Sequence, residues 1–170
     1  MRLFFGLKPG PQSALDIVSW RERFLPPMLH PVPVDNLHIT LSFLGQVKEQ
    51  QLEQLMVSAE QIQVNRFELN LDQLGFWSKP KILWIGPAEV PDEILQLVKL
   101  LTSLRRRLGL QADKSEYIPH ISIARRCEIP PPAGIIDPEF KIHFDSFALF
   151  ESTRTRSGMR YRPMQEWWLT

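Results

Sequence analysis

Within the stretch "NLHITLSFLG", residues 36–45, positions 37–43 alternate without a break. Leu37, Ile39, Leu41 and Phe43 take the odd positions, and His38, Thr40 and Ser42 take the even ones. Alternation of period two places the apolar set on one face of a β-strand and the polar set on the other. A second stretch, "PHISI" at 119–123, repeats the central pattern: histidine, isoleucine, a hydroxyl residue, an aliphatic residue. The two histidines are 82 residues apart (120 − 38), close to half of the 170-residue chain. Only four histidines are present, so the two copies use half of them.

The surrounding pattern has strands in excess of helices. "RLFFGL" (2–7) reads as a strand, and "PGPQSALDIVSWRERFL" (9–25) as a helix with Leu15, Val18 and Phe24 turned inward. The proline-rich "PPMLHPVPVDN" ends that helix, because proline removes a donor and clashes with the preceding turn. A second helix is expected over 48–63, with Leu52, Leu55, Met56, Ala59 and Ile62 on one stripe. "RFELNLDQLGFW" (66–77) reads as one strand and "KILWIGPA" (81–88) as its hairpin partner. The clearest helix is 92–109: Ile94, Leu97, Val98, Leu101, Leu104 and Leu108 recur at helical spacing. Acids open it, arginines close it and Gly109 stops it. Residues 116–126, 140–152 and 161–170 are strand-like. The order implies an α+β chain with mainly antiparallel sheets. A strand–helix unit precedes each histidine triplet, which suggests two similar lobes, each giving one such strand to a shared cleft. Residues 1–170 are read as one domain made of these two lobes.

Bulk properties narrow the function. Lys+Arg is 20 and Asp+Glu 19, so net charge gives no sign of a nucleic-acid partner, and any phosphate affinity must come from local clustering. A single cysteine, Cys127, rules out an intrachain disulfide and fits a reducing compartment. No stretch approaches an 18-residue apolar span, and "MRLFFGLKPG" turns to proline and glycine too soon for a secretory signal. The expectation is a cytoplasmic protein with no membrane association.

The triplets carry the chemistry. Within each, His and Thr or Ser at i and i+2 share a strand face. An imidazole exchanges protons near neutrality, and two of them, one neutral and one protonated, form a base–acid pair. A hydroxyl two residues on can donate to an anionic oxygen in the same cleft. Two imidazoles and two hydroxyls converging from two lobes suit a phosphodiester: one histidine activates the nucleophile, the other protonates the leaving alkoxide, and the hydroxyls hold non-bridging oxygens. A lone His-x-Thr would be a solvated strand face; two matching copies argue against that. A metal site would want three or four His, Asp or Glu ligands, and neither triplet has an adjacent carboxylate or second histidine.

These residues resemble the paired His-x-Thr/Ser signature of the 2H phosphoesterase superfamily, and in particular the bacterial and archaeal (LigT-like) RNA 2′,3′-cyclic phosphodiesterases, also called 2′-5′ RNA ligases. "RLFFGL", "KILWIG" (81–86), "FALFES" (147–152) and "YRPMQEWWL" are similar to that family's landmarks and follow in the same order, so the resemblance covers essentially the whole chain. It implies a bilobal α+β fold, with two pseudo-symmetric lobes whose antiparallel sheets form a central cleft and with helices outside. It implies no metal and no other cofactor. It implies that His38 is the proton donor to the departing 3′ oxygen and His120 the proton acceptor from water, with Thr40, Ser122 and Arg125 binding phosphate. The product would be a 2′-phosphomonoester, and a 5′-hydroxyl in place of water would give a 2′-5′ linkage. The substrate partner would be RNA with a 2′,3′-cyclic phosphate end or a small cyclic nucleotide, and the protein a monomer. Chemistry alone leaves open which histidine is the acid, because the repeat is nearly symmetric. Ser122 stands where threonine is commoner, yet keeps the hydroxyl. Arg125 is out of parity with His120 and Ser122, so a strand end or bulge beyond Ala124 is needed to bring it to their face. Two competing readings keep the same cleft: a non-catalytic RNA- or nucleotide-binding module, and a 2H phosphodiesterase for a small cyclic nucleotide.

Other features are secondary. "TRTRSGMRYR" (153–162) sets Arg154, Arg156, Arg160 and Arg162 around Tyr161, either an RNA-backbone-binding hairpin with a stacking ring or a solvated loop. Arg105, Arg106 and Arg107 complement a helix C-terminus. Lys79, Lys81, Phe76 and Trp77 belong to a cleft rim or to the core. Trp84, Trp167 and Trp168 read as core or sheet-face residues. His30 and His143 lack a hydroxyl two residues on and are structural, and Cys127 reads as an inert thiol.

Overall fold

The computed structural model describes residues 1–110, 114–133 and 135–170. Strand β1 (Arg2–Leu7), helix α1 (Pro11–Phe24) and strand β2 (Ile39–Gln46) open the chain, followed by helix α2 (Glu49–Ala59) and strands β3 (Phe67–Leu71) and β4 (Gln73–Trp77). The plan then recurs as β5 (Ile82–Gly86), α3 (Asp92–Arg107), β6 (Ile121–Ala124), β7 (Phe140–Phe144) and β8 (Ser146–Thr155), and β9 (Gly158–Trp168) closes it. The α+β class and the antiparallel sheets stand as expected.

Seven strands form one antiparallel sheet in the order β4-β5-β6-β2-β1-β8-β9, and β3 pairs with β7 in a second. The large sheet is close to two-fold symmetric about the β6–β2 junction: β4-β5-β6 on one side matches β8-β1-β2 on the other. Each half takes its outer strand from the other half of the sequence, since β4 lies beside β5 and β8 beside β1. The junction is a single residue pair, Ile39 opposite Ile121. These are the central isoleucines of the two histidine triplets, and both are fully buried.

One face of the sheet carries the core. Leu3, Phe5, Leu7, Leu37, Ile39, Leu83, Ile85, Ile121 and Ile123 point into it. Ala14, Ile17 and Trp20 of α1 cover them, as do Ile94, Leu97, Leu101 and Leu104 of α3 and the apolar faces of β3 and β7. Burying each such aliphatic side chain contributes roughly 1.5–3 kcal/mol, so the strand halves bearing the triplets are held from behind. The opposite face is left to Thr40 of β2 and Ser122 of β6; beyond Leu41 the pairing with β1 shifts register, so Ser42 and Leu44 are buried and Phe43, expected on the core face, is 42% exposed.

Local differences from the sequence expectation have physical causes. Residues 66–77 form two strands, not one: β3 and β4 break at Asp72 and enter different sheets, so only β4 is the hairpin partner of β5. Residues 140–152 break in the same way at Asp145. At both breaks the apolar parity switches, from Phe67, Leu69, Leu71 to Leu74, Phe76 and from Phe140, Ile142, Phe144 to Phe147, Leu149, so one straight strand would turn half its apolar residues to water. In 116–126 only Ile121–Ala124 is strand. On α1 the buried stripe is Ala14, Ile17, Trp20 and Arg21, while Leu15 is 52% exposed. Arg21 is buried because its guanidinium has carbonyl partners: Nη1 donates to Val32 O at 2.7 Å and Ile123 O at 3.0 Å. That pins the proline-rich loop against β6. Arg105 is likewise buried, its Nη1 donating to Phe43 O at 2.6 Å, rather than a simple complement to the α3 C-terminus.

Among the described residues no helix is long and apolar enough to cross a membrane.

Candidate active site

The Ile39–Ile121 pair decides the geometry. Continuing that antiparallel register by one residue each way sets His38 opposite Ser122 and Thr40 opposite His120. Directly opposed residues lie about 4.5–5.5 Å apart at Cα. Two imidazoles and two hydroxyls therefore form a square at the sheet's centre, on the face away from the core, with each histidine across from the other triplet's hydroxyl.

Both imidazoles are fixed in the same way. His38 Nδ1 lies 2.7 Å from Asn36 O, and His120 Nδ1 lies 2.7 Å from Ile118 O. A carbonyl only accepts, so each Nδ1 carries a proton and donates it two residues back along its own chain. That tautomer leaves each Nε2 free for proton exchange. His38 Nε2 is 3.0 Å from Thr40 Oγ1. Aromatic rings close the flanks. His38 packs with Phe4 and Tyr161 in a triangle of rings, with centroids at 5.0 and 4.8 Å from His38 and 5.2 Å from each other, and His120 lies against Trp77 at 4.6 Å and Trp84 at 6.0 Å.

Phe4 and Trp84 occupy matching places, each two residues before a glycine on the strand next to a triplet strand. Trp84 lies flat over Gly75 and Gly86. A Cβ on Gly75 would overlap the indole, and one on Gly86 would come within 2.7 Å of Pro119 O. Glycine is needed there so that the ring and the segment before His120 can approach the sheet.

The electrostatics favour neutral imidazoles in the free protein. Burial pushes His38 down to about 4; the Asn36 carbonyl opposes this, and the charges of Arg125, His120 and Lys8 add to it. His120 is lowered for the same reasons, burial first and Arg125 after, against the Ile118 carbonyl. Arg125 therefore reaches both histidines electrostatically. Its chain turns because β6 ends at Ala124, the Arg125 amide donates to His30 O at 2.9 Å, and Arg126 takes the left-handed region at φ 53°. Position 125 therefore lies past the strand end, where strand parity no longer fixes its side chain.

Tyr117 had no signal in the sequence. Its phenol donates to Thr40 O at 2.9 Å, and burial raises its pKa far above the ordinary range. The contact ties the segment leading to His120 to the middle of the other triplet. Phe4 was equally hidden, although the shared aromatic-x-Gly pattern of "FFG" and "WIG" marks it. The remaining candidates lie elsewhere. Lys81 pairs with Glu128 at 3.0 Å, and exposed His143 faces Glu68 at 3.7 Å. Trp168 is 69% exposed. Burial pushes the Cys127 thiol up, as for an unreactive cysteine. Among the described residues no group of three or more His, Cys, Asp or Glu side chains is placed to hold a metal ion.

A seven-stranded antiparallel sheet with two His-x-hydroxyl triplets paired at its centre defines a two-histidine phosphoesterase. The profile of the LigT like phosphoesterase family matches the chain twice, over residues 8–84 and 85–161, and the chain belongs to that family. The two matches divide the sequence as the structural repeat does. The chain is 33% identical to the RNA 2′,3′-cyclic phosphodiesterase of Escherichia coli, over 99% of this chain and 97% of that one. It is 26% identical to the enzyme of the same name from Methanocaldococcus jannaschii, over 98% and 100%. The solved structure of E. coli LigT complexed with 3′-AMP superposes with a TM-score of 0.90 at 33% identity, covering 99% of this chain and 98% of the other.

Proposed function

We propose that the protein hydrolyses 2′,3′-cyclic phosphate ends of RNA to 2′-phosphomonoesters by metal-independent acid–base catalysis. The observation that carries this reading is the square of His38, Ser122, Thr40 and His120 about one buried residue pair.

The reaction follows from that geometry. The cyclic phosphodiester lies over the square, its anionic oxygens facing the Thr40 and Ser122 hydroxyls and the Arg125 guanidinium. Neutral His120 takes a proton from water at Nε2 as the oxygen attacks phosphorus. The P–O3′ bond breaks opposite, and protonated His38 gives its Nε2 proton to O3′. The products are a free 3′-hydroxyl and a 2′-phosphate. His120 ends protonated and His38 neutral, and exchange with solvent resets them. A 5′-hydroxyl in place of water gives a 2′-5′ linkage by the same proton transfers. In the free protein burial and Arg125 hold His38 neutral, which opposes its role as donor; the anion of the bound phosphate supplies the charge that raises its proton affinity. Burial of both imidazoles strengthens that response, because interactions in a low-dielectric site are less screened.

The fold acts as one domain of two lobes, and both half-sites lie on one chain, so a monomer is the active unit. The reaction belongs in the cytoplasm, where the single cysteine stays reduced.

The test is incubation with an oligoribonucleotide ending in 2′,3′-cyclic phosphate, with and without chelator. A 2′-phosphate end formed equally in both supports the reading. Loss of turnover with chelator overturns the metal-free mechanism. Binding without turnover indicates a non-catalytic module, and turnover of small cyclic nucleotides alone indicates a different substrate class.

A further inference from the structure

Beside the histidine square, a cavity of 510 Å³ lies beneath the turn that joins β8 to β9. Four guanidiniums line it: Arg125 and Arg126 from the end of β6, and Arg154 and Arg156 from the hairpin tip. No carboxylate is among its described lining residues, and none of the four arginines forms an ion pair with a described residue. The other large spaces differ. The 1170 Å³ groove beside His120 carries Glu116 together with Arg105, Arg106 and Lys114, and the 660 Å³ space between α1 and β8–β9 sets Asp35 and Glu166 against Lys8. Four like charges around one cavity repel each other unless an anion is present. The tip that carries two of them is held in shape, because Thr155 Oγ1 donates to Gly158 O at 2.8 Å.

Of the two triplet histidines, the cavity adjoins His38 through shared neighbours, while His30 of the proline-rich loop lines its wall. Asn36 and Tyr161 line it, and these same residues hold His38: Asn36 O accepts from Nδ1, and the Tyr161 ring packs edge-on at 4.8 Å. Asn36 Nδ2 also donates to Met159 O at 2.8 Å, which ties the histidine's anchor to the hairpin. His120 lines the other groove instead.

We propose that this cavity is a backbone subsite, which takes the phosphodiesters of the RNA chain on the 5′ side of the cyclic end. The inference rests on the proposed hydrolysis and adds a direction to it. In that reaction O3′ leaves on a ribose still joined to the rest of the RNA. The chain therefore lies on the side of the proton donor, and a cationic cavity on the His38 side is where it runs. The arrangement gives a physical reason, absent from the near-symmetric triplets, for His38 to be the acid. It also makes the protein prefer an oligonucleotide end over a mononucleotide, which is too short to reach the tip.

The test is the double variant Arg154→Gln/Arg156→Gln, with folding checked by its melting temperature. Steady-state kinetics are measured on an oligoribonucleotide with a 2′,3′-cyclic phosphate end and on a mononucleoside 2′,3′-cyclic phosphate. Charged hydrogen bonds of this kind are worth a KM increase of roughly tenfold or more on the oligonucleotide, with kcat/KM on the mononucleotide retained. The slope of log KM against log salt becomes shallower by about 1.4, at about 0.7 per single-strand phosphate contact released. Equal effects on both substrates, or no effect on the oligonucleotide, overturn the subsite and leave the hydrolysis standing. If the wild-type protein turns over neither substrate, the hydrolysis fails instead. Equilibrium binding of the same oligonucleotide then decides the subsite: an unchanged salt slope in the double variant refutes it, and a shallower one supports it.

Discussion

His38 makes the stability of the protein depend on pH in a way that can be isolated by one substitution. The unfolded imidazole titrates near 6.5, and in the folded cleft burial and the charge of Arg125 lower it to about 4. Above pH 6.5 the side chain is neutral in both states and costs nothing. Between 6.5 and 4 the unfolded chain takes up a proton that the folded protein refuses, so stability falls with pH. Below 4 both states are protonated and the full difference has been lost. At about 1.4 kcal/mol per tenfold change in proton affinity, the drop is on the order of 3 kcal/mol, a large share of the roughly 5–15 kcal/mol that keeps such a domain folded. The assay is urea unfolding followed by tryptophan fluorescence at pH 7.5, 5.5 and 4 for the wild type and His38→Gln. Glutamine does not titrate, so contributions common to both proteins cancel in the difference. The advantage of wild type over variant should shrink by on the order of 3 kcal/mol between pH 7.5 and 4. Inorganic phosphate should weaken the dependence, since an anion in the cleft raises the proton affinity of His38. Parallel stability curves for the two proteins would refute the reasoning, and an NMR titration placing His38 near 6.5 would show why.

Other consequences are equally direct. His38→Ala and His120→Ala should each lower kcat by at least about 10²-fold, the usual scale for a positioned acid or base; near-wild-type turnover in either variant removes that residue from the mechanism. Both imidazoles are depressed in the free protein and His38 must carry a proton, so kcat/KM should already decline as pH rises past about 4, below the ordinary histidine range, and the kcat profile should lie at higher pH once phosphate is bound. Superimposed profiles contradict this. Tyr117→Phe leaves Thr40 O without its donor and should cost on the order of 1–3 kcal/mol of stability or transition-state binding; unchanged melting temperature and kcat together would dismiss the contact. Arg21→Met removes the guanidinium donor to Val32 O and Ile123 O; Ile123 O keeps the Val32 amide at 3.0 Å, but Val32 O loses its side-chain donor, and the variant should be destabilised by on the order of 1–3 kcal/mol in chemical unfolding, whereas a neutral result would mean that the other bonds hold the proline loop.

The sequence on its own determined the strand faces and the chemistry they carry. The period-two pattern of 37–41 and the matching 119–123 set two histidines and two hydroxyls on one side, because side-chain direction in a strand follows from backbone geometry; the pattern fails at Ser42 and exposed Phe43, where the register against β1 shifts. Helix α3 was legible for a similar local reason: its apolar residues repeat at helical spacing and its ends carry complementary charge. The breaks at Asp72 and Asp145 were also present, as parity switches, but which sheet each piece joins depends on partners far along the chain. Buried Arg21 and Arg105 sit on apolar helix stripes, and only the carbonyls packed against them explain why a charge is tolerated there. Tertiary structure alone decided that Ile39 faces Ile121, and so that the four functional groups form a square. It alone brought the charge of Arg125 within electrostatic reach of both imidazoles at the end of β6. It also set the arginines of the hairpin tip beside His38 rather than His120, because the outermost strands are long-range neighbours whose register no local pattern specifies.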